Sequence, residues 1–316
     1  MTNTNVAPID GTQTISMLIN GERVQAASGA VFERRNPLDG TVATRAPAAT
    51  VDDARRAVDA AAAAFPAWAA IGPTERRALL MRAAQALEAK GEAFAAAMAA
   101  ETGASALWAG FNVHLAASGL QEAAAMVTQI AGEIIPSDVP GSLAMGVRQP
   151  AGVVLGIAPW NAPVILAVRA IALPLACGNT VVLKGSEVSP ATHGLIIEAL
   201  QEAGLPKGVV NFVTNAPADA GAVVEAMIAH PAVRRVNFTG STHVGRIIAQ
   251  TCATHLKPAV LELGGKAPLL VLADADIDAA VDGAAFGAFA NSGQICMSTE
   301  RIIVDETIAD AFVAKL

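Results

Sequence analysis

A cysteine and a glutamate near the end of the sequence have the chemical types needed for covalent catalysis on a carbonyl group. Cys296 lies in the segment GQICMSTER at 293–301, and Glu262 lies in LELGGK at 261–266. A thiolate can attack an aldehyde carbon, and the adduct can lose hydride to become a thioester. A carboxylate base can then take a proton from the water that hydrolyses the thioester. We therefore predict Cys296 as a nucleophile and Glu262 as a general base.

Both residues also have a purely structural interpretation. A lone cysteine is most often inert packing, which is how we interpret Cys177 and Cys252, and Glu262 can be an ordinary exposed carboxylate. The three cysteines show no CxxC pairing or zinc-ligand spacing, and the five histidines show no metal spacing. We therefore expect reduced cysteines and no metal site.

A glycine-serine turn is the candidate binding site for a phosphate group. In FTGSTHVG at 238–245, Gly240 lets the backbone approach an anion and Ser241 begins a predicted helix. The N–H groups of the first helical turn point toward such an anion. The usual G-x-G-x-x-G fingerprint is absent, and a plain helix start capped by Ser241 is the alternative.

A lysine and a glutamate follow the predicted strand at 180–184. A carboxylate such as Glu187 can accept hydrogen bonds from the ribose hydroxyls of a dinucleotide, and it would repel a 2′-phosphate. Together with Lys184 it favours NAD over NADP as the cofactor. The alternative is a solvated Lys/Glu pair on the surface.

The segment APWN at 158–161 joins another predicted strand to a helix. Pro159 stiffens the turn, and Asn161 offers an amide N–H where an oxyanion can form. The alternative is that Asn161 only caps the following helix.

Alternating strands and helices must position these residues. Runs rich in β-branched residues predict strands at 153–159, 180–184, 209–213, 233–238 and 259–263, with helices beginning near 162, 189, 219 and 241. This order predicts an α/β fold, a Rossmann-like doubly wound parallel sheet with right-handed crossovers. Ligands of such sheets bind at the carboxyl ends of the strands.

The part of the chain before residue 153 is predicted to be helical. Thr50 and Asp53 form a capping-box pattern, which predicts a helix from there to about Phe65. Apolar periodicity predicts further helices at 73–91, 91–101 and 104–130. We therefore expect the chain to open with helices.

Composition limits the class of protein. The 316 residues are 53% hydrophobic and 16% charged, with mean hydropathy +0.46, which is enough for a sizeable core and two domains. The net charge of −7 and the scattered arginines argue against nucleic acid as a partner. Residues 1–9 lack a signal-peptide pattern, and no apolar run approaches the ~20 residues that span a bilayer. We expect a soluble cytoplasmic protein without a membrane partner.

Five motifs carry a resemblance to a known family. APWN, KGSE, FTGSTHVG, LELGGK and GQICMSTER resemble the NAD(P)-dependent aldehyde dehydrogenase superfamily in their order and approximate spacing. Within it, the segments at 103–113, 184–187, 189–193 and 294–301 are most similar to bacterial salicylaldehyde dehydrogenases. The resemblance extends from about Ile19 to the end of the chain.

The resemblance implies a role for each matching residue. It makes Cys296 the nucleophile, Glu262 the general base, and Asn161 with the Cys296 backbone N–H the oxyanion hole. It assigns contacts with NAD to Pro159, Trp160, Lys184, Glu187, Gly240, Ser241 and Leu263. Asn215-Ala216-Pro217 departs from the glycine-rich turn that relatives often have beside the cofactor.

Two further departures suggest the substrate. Many members have an aromatic residue where this chain has Ala162, and Trp-Lys where it has Val168-Arg169. The small Ala162 should leave room for a flat, bulky substrate beside the nucleophile. We predict that Trp108 and Arg169 line a pocket for an aromatic aldehyde.

The resemblance also implies a domain organisation. Residues 1–131 and 151–261 are expected to form the NAD-binding domain, 132–150 an arm that bridges subunits of a homo-oligomer, and 262–316 the start of a catalytic domain. Family members continue well past the position of Leu316. We therefore expect a truncated catalytic domain, uncovered apolar surface between 276 and 316, and weak or no activity of this polypeptide alone.

Three functions fit these observations. The first is NAD-dependent oxidation of an aromatic aldehyde, such as salicylaldehyde, to the carboxylic acid through a cysteine thiohemiacetal and thioester. The second is an acylating dehydrogenase that passes the thioester to coenzyme A or phosphate, and Glu262 counts against it because that reaction needs no base to activate water. The third is a catalytically silent, dinucleotide-binding fragment.

Overall fold

The computed structural model describes residues 12–316, so the stretch 1–9 and the first residues of the predicted 1–131 segment lie outside the described residues. The helices are α1 (Val51–Ala70), α2 (Pro73–Glu88), α3 (Gly91–Thr102), α4 (Ala106–Met126), α5 (Pro163–Ala176), α6 (Pro190–Glu202), α7 (Ala220–Ala229), α8 (Thr242–Thr254), α9 (Ile277–Phe289) and α10 (Ala309–Lys315). Short 3-10 helices occupy Val127–Gln129, Pro217–Asp219, Ala290–Gly293 and Glu306–Ile308.

The strands belong to four sheets. They are β1 (Gln13–Thr14), β2 (Met17–Ile19), β3 (Glu22–Val24), β4 (Val31–Arg35), β5 (Val42–Pro47), β6 (Glu133–Ile135), β7 (Ala144–Gly146), β8 (Val153–Ile157), β9 (Thr180–Lys184), β10 (Val210–Val213), β11 (Val233–Gly240), β12 (Ala259–Leu263), β13 (Pro268–Val271) and β14 (Arg301–Val304). The largest sheet has seven strands in the order β12-β11-β8-β9-β10-β2-β3.

The seven-stranded sheet is doubly wound, as predicted. Strands β8 to β12 pair in parallel, whereas β2 and β3 add an antiparallel edge. The chain winds from β8 through β9 to β10 on one side, then returns to β11 and β12 on the other. The switch point therefore lies between β8 and β11, where the carboxyl ends open a crevice for ligands.

Helices cover both faces of this sheet. Val154, Val181 and Leu183 pack into a core with α2, α4, α5 and α6, whereas Val153 and Leu155 pack into another core with α1, α7 and α8. Every residue of β8, β9 and β10 is buried. Burial on both faces explains why these strands read as continuous apolar runs rather than as an alternating pattern.

The remaining strands form smaller sheets. Strands β1, β5 and β4 form one sheet, and β6 with β7 forms an antiparallel hairpin. Strands β13 and β14 pair in parallel and pack with α9 and α10 around Val271, Ala284 and Phe312. Large apolar side chains remain exposed here, as expected, including Phe286 at 75% and Phe289 at 72%.

The expectation of a helical opening is wrong. Strands β1 to β5 precede α1, and their exposed positions carry charged residues such as Glu22, Arg23 and Glu33. Strands of two to six residues with so few apolar positions give no clear periodic signal.

The capping box that begins α1 is present. Thr50 Oγ1 accepts the Asp53 N–H at 3.2 Å, and the Asp53 carboxylate accepts the Thr50 N–H at 2.9 Å. The helix continues through Pro66 to Ala70, past its predicted end at Phe65. Its last turn carries Trp68, which is 1% exposed, so burial of this side chain offsets the hydrogen bond lost at the proline. Among residues 12–316, no helix combines the length and the apolar character needed to cross a membrane.

Candidate active site

A cleft of about 340 Å³ lies at the switch point of the seven-stranded sheet. It is enclosed by the carboxyl ends of β8, β11 and β12 and by the loop that carries the cysteine. It brings together most of the predicted site residues: Pro159, Trp160, Asn161, Gly240, Ser241, Glu262, Leu263 and Cys296. Segments far apart in the sequence therefore meet around one space.

The Asn161 loop and the cysteine loop are joined by hydrogen bonds. Asn161 Nδ2 donates to the carbonyl of Gln294 at 2.9 Å, and Asn291 Nδ2 donates to the carbonyl of Asn161 at 3.1 Å. An amide NH₂ group has two hydrogens, so one can bind Gln294 while the other is offered to a ligand. The predicted oxyanion donor is thus fixed directly beside the loop that carries Cys296, the predicted nucleophile.

A tight turn holds Cys296. Ser298 Oγ accepts the N–H of Ile295 at 3.2 Å and donates to the carbonyl of Gly293 at 2.9 Å. Just before the turn, Asn291 and Ser292 adopt left-handed backbone conformations, with φ of 50° and 57°. The Cys296 side chain is exposed at the cleft. It is therefore accessible to a substrate, unlike Cys252, which is buried as predicted for a packing residue. The same interpretation is wrong for Cys177, which is exposed at the end of α5.

Glu262 lies next to the last residue of β12, opposite Thr239 of β11. Successive residues of a strand point to opposite faces, and Glu262 is exposed while Leu261 and Leu263 are partly buried. Glycine at 245 lets α8 pack against this strand, because a Cβ there would lie 2.5 Å from Leu263 Cδ2. The carboxylate therefore faces the cleft from a strand whose position is set by packing.

The N-terminus of α8 lies at the same cleft. Ser241 caps it by accepting the Val244 N–H at 3.3 Å, so the capping alternative for Ser241 is correct. Capping leaves other first-turn N–H groups without helical partners, and these suit an anion such as a pyrophosphate. Ser241 can therefore begin the helix and line a phosphate site at once.

Lys184 and Glu187 are not a solvated surface pair. Lys184 is 5% exposed, and its ammonium contacts Glu187 Oε1, which also accepts the Asn215 amide N–H at 2.8 Å. Burial alone would raise the pKa of Glu187, but the charge of Lys184 and these hydrogen bonds outweigh burial and lower it. Since Lys184 pairs with Ile157, the ion pair lies at the carboxyl end of β9, beside the switch-point strand.

A buried histidine supports the turn that leads from β9 to Glu187. His193 Nδ1 accepts the Ser186 N–H at 3.0 Å, and the ring has no exposed surface. Burial, and then the nearby charge of Lys184, lower the pKa of His193 to about 4. The ring is therefore neutral at pH 7 and carries its proton on Nε2.

The two predicted substrate residues lie in different settings. Trp108 packs against Ala162 and Leu166, and its indole N–H donates to the carbonyl of Asn161 at 2.9 Å. Arg169 lies one turn after Ile165 on α5, and it is exposed and outside the residues that line the cleft. Trp108 therefore contacts the Asn161 loop but, like Arg169, does not line the cleft.

Sequence reasoning missed the residues that support the site. Asn291 and Gln294 join the Asn161 loop to the cysteine loop, Ser298 closes the cysteine turn, and the Asn215 amide donates to Glu187. Two of them carried a signal. Asn215 stands where relatives often have a glycine-rich turn, and a short polar side chain such as Ser298, two residues after a cysteine, can close a turn. In the range 12–316, no group of three or more His, Cys, Asp or Glu side chains is placed to hold a metal ion.

Comparison with known proteins identifies the class. Residues 24–316 match the model of the aldehyde dehydrogenase family, and the chain belongs to that family. It is 66% identical over 302 residues to a vanillin dehydrogenase of Pseudomonas fluorescens, covering 96% of this chain and 62% of the relative. It is 56% identical to a salicylaldehyde dehydrogenase of Pseudomonas putida, covering 95% and 62%.

Solved structures show the same fold. A salicylaldehyde dehydrogenase from Pseudomonas putida G7, crystallised with salicylaldehyde, superposes with a TM-score of 0.95 at 53% identity, covering 96% of this chain and 63% of that one. The chain thus spans less than two thirds of the length of these relatives. Other similar structures include an NADP-dependent enzyme and a complex with nicotinamide adenine dinucleotide, so both cofactors occur in the family.

Proposed function

We propose that this chain carries the cofactor site and the nucleophile of an NAD-dependent dehydrogenase that oxidises aromatic aldehydes of the salicylaldehyde and vanillin type to carboxylic acids. The observation that carries the proposal is the convergence of Cys296, Glu262 and Asn161 on one cleft at the switch point. The names of the relatives support the substrate class.

The cleft and the carboxyl end of β9 beside it, where Lys184 and Glu187 lie outside the cleft lining, together have the features that a dinucleotide requires. The first turn of α8 and Gly240 suit the pyrophosphate, and an ionised carboxylate at Glu187 suits the ribose hydroxyls. Pro159, Trp160, Lys184, Ser241 and Leu263 complete the proposed cofactor contacts. When bound, the nicotinamide accepts the hydride that leaves the substrate carbon.

The residues of the chain then carry the covalent steps. The Cys296 thiolate forms a C–S bond with the aldehyde carbon, and the oxyanion of this thiohemiacetal accepts hydrogen bonds from Asn161 Nδ2 and the Cys296 N–H. Loss of hydride leaves a thioester on Sγ. Glu262 takes a proton from water, whose oxygen attacks the thioester, and the acid leaves as the thiol is restored.

The remaining predicted roles follow from this proposal. Trp108 would form part of the wall for the aromatic ring, and Arg169 would act on a ring substituent only if it turned toward the cleft. A reducing compartment such as the cytoplasm would keep the Cys296 thiol available.

The domain division is part of the same proposal. Residues up to 131 together with 151–261 would bind NAD, 132–150 would bridge subunits of a homo-oligomer, and 262–316 would begin the catalytic domain. Support comes from the hairpin β6–β7, which forms a sheet of its own, and from the separate core around β13 and β14. The boundary before Glu262 falls within β12, which ends at Leu263.

A second candidate is dinucleotide binding without turnover. It is favoured by the exposed apolar side chains around the cysteine segment, among them Met297 at 78% and Phe289 at 72%. A substrate would gain little enclosure from such a surface, and enclosure strengthens the electrostatic interactions that catalysis uses.

One assay separates these functions. The purified 316-residue chain is incubated with NAD and, in turn, salicylaldehyde, vanillin, benzaldehyde and hexanal, with and without coenzyme A, and the products are identified by mass spectrometry. The proposal predicts NADH and free aromatic acid. NADH with acyl-coenzyme A would indicate the acylating reaction instead, and cofactor binding without any product would leave only the second candidate.

A further inference from the structure

A buried asparagine, Asn215, donates a hydrogen bond to the carboxylate of the proposed ribose site. Asn215 follows β10, has no exposed surface, and donates from Nδ2 to Glu187 Oε1 at 2.8 Å and to the carbonyl of Ala216 at 2.9 Å. Both amide hydrogens are thus engaged. The opposite amide orientation would place Oδ1 against a carboxylate oxygen, so the hydrogen-bond pattern fixes how this side chain points.

The backbone around Asn215 is held firmly. Thr214 Oγ1 donates to the carbonyl of Pro47 at 2.7 Å, and the Thr214 carbonyl accepts the Ala49 N–H at 3.0 Å. On the neighbouring strand, a Cβ on Gly185 would lie 2.7 Å from the Phe212 ring, so the turn that leads to Glu187 is packed against β10. The distance between Asn215 and Glu187 is therefore set by the pairing of β9 with β10.

Lys184 and Asn215 both bind the Glu187 carboxylate, but they contribute different interactions. Lys184 Nζ and Asn215 Nδ2 both donate to Glu187 Oε1, and the Glu187 backbone N–H also bonds the carboxylate. Oε2 receives neither of the two side-chain donors, so it is the oxygen offered to the ribose hydroxyls. Lys184 supplies charge on a flexible stem, whereas Asn215 supplies a short, rigid donor, so Asn215 determines where the carboxylate points.

We propose that Asn215 is the positioning residue for the dinucleotide preference of this site, because its amide holds Glu187 where the carboxylate binds the ribose 2′-hydroxyl and excludes a 2′-phosphate. The inference rests on the proposed function. Without the amide, the Glu187 carboxylate can turn away from Lys184, its remaining side-chain partner. The lysine ammonium would then be open to a 2′-phosphate.

The test compares the affinities of the 316-residue chain for NADH and NADPH. Each is titrated while the fluorescence of the reduced nicotinamide is followed, which needs no turnover. The wild-type chain is expected to bind NADH at least about tenfold more tightly. Asn215→Ala is expected to lower this preference about fivefold, the effect of one lost hydrogen bond. An unchanged ratio in Asn215→Ala would overturn the inference.

A matched control lies within β10 itself. Asn211 is equally buried, and its amide donates to the carbonyl of Gly208 and accepts the Asn20 N–H, near the amino end of β10. Asn211→Ala makes the same chemical change away from the site and is expected to keep the wild-type ratio within about twofold. An equal shift in this control would show general loosening and would overturn the inference.

Two further variants test the route through the carboxylate. Asn215→Ser keeps a small polar group that cannot reach Glu187. It replaces Asn215→Ala if the alanine variant folds poorly, and it is expected to show the same loss, about fivefold, of preference for NADH. Glu187→Gln should also lose the preference, and adding Asn215→Ala to it should change the ratio no further. An additional shift in the double variant would contradict action through Glu187.

The wild-type result separates the two proposals. If the chain binds neither dinucleotide, the proposed function fails and the inference fails with it. If it binds both with equal affinity, dinucleotide binding stands and the inference alone is overturned.

Discussion

The two halves of the candidate site are held in place in different ways. On the cofactor side, β8, β9 and β10 are buried at every position, and helices pack on both faces of the sheet. On the nucleophile side, β12, β13 and β14 alternate between covered and exposed residues, and the Cys296 turn depends on a few polar contacts.

Because of this difference, one side of the site should determine the stability of the chain and the other side its reaction. Apolar burial supplies most of the free energy of folding, so the cofactor side should dominate the stability of the chain. A single hydrogen bond between exposed loops contributes little to stability, yet it sets the position of a reacting group. Changes on the nucleophile side should therefore affect the reaction more than the fold.

The largest predicted effect is on the free energy of unfolding, and it is tested by replacing one leucine in each of the two regions. Leu155 of β8 has no exposed surface, whereas Leu270 of β13 is 61% exposed. Leu155→Ala is expected to lower the free energy of unfolding by about 2–5 kcal/mol because it leaves a cavity. Leu270→Ala should change it by no more than about 0.5 kcal/mol. Urea unfolding followed by circular dichroism measures both, and similar losses would refute the contrast.

A second prediction concerns pH and the buried ring of His193. Its pKa of about 4 in the folded chain lies below the usual 6.5, so the unfolded chain binds more protons between these values. Its contribution to stability is complete above pH 6.5 and is lost as the pH falls toward 4, by up to about 3 kcal/mol. His193→Gln should flatten this part of the stability profile measured by urea unfolding.

A histidine on the surface, His255, provides the control for the pH dependence of stability. His255→Gln, at the end of α8, should leave the profile parallel to that of the wild type. The charges that face His193 come from Lys184 and Glu187, and both of these residues are unchanged in the His193→Gln and His255→Gln variants. If the His193→Gln profile also ran parallel to the wild type, the buried ring would not be the group responsible.

The smallest predicted effect lies on the nucleophile side. Trp108→Phe keeps an aromatic ring but removes the N–H that binds the Asn161 carbonyl, which then keeps only Asn291 as a donor. The rate of Cys296 acylation in a single turnover should fall about fivefold, with NADH affinity unchanged. Trp68→Phe is the control, because the buried Trp68 indole N–H has no hydrogen-bond partner within residues 12–316. An equal effect of both substitutions would exclude a specific role for the Trp108 N–H.

Local patterns were sufficient to predict the sheet and the cleft. Short runs rich in β-branched residues marked β8 to β12, and the rule that parallel strands share one carboxyl edge brought Asn161, Gly240 and Glu262 together. The five strands before α1 were missed, because each has only two to six residues and their alternation is weak.

The supporting contacts were beyond sequence reasoning for a physical reason. Asn161 and Gln294 are 133 positions apart, and Asn215 and Glu187 are 28 apart, so their pairing depends on the completed fold. The left-handed backbone at Asn291 and Ser292 is likewise imposed by the loop as a whole. Neither kind of feature leaves a pattern in neighbouring residues.

The most direct test of the account is whether Cys296 becomes acylated. The Glu262→Gln chain is mixed with NAD and salicylaldehyde, and its peptides are mapped by mass spectrometry, since without the base the thioester should accumulate. The account predicts an acyl group on Cys296 that requires NAD and is absent when Cys296→Ser is added. A chain that forms NADH without labelling Cys296, or a Cys296→Ser chain that oxidises the aldehyde at the wild-type rate, would contradict it.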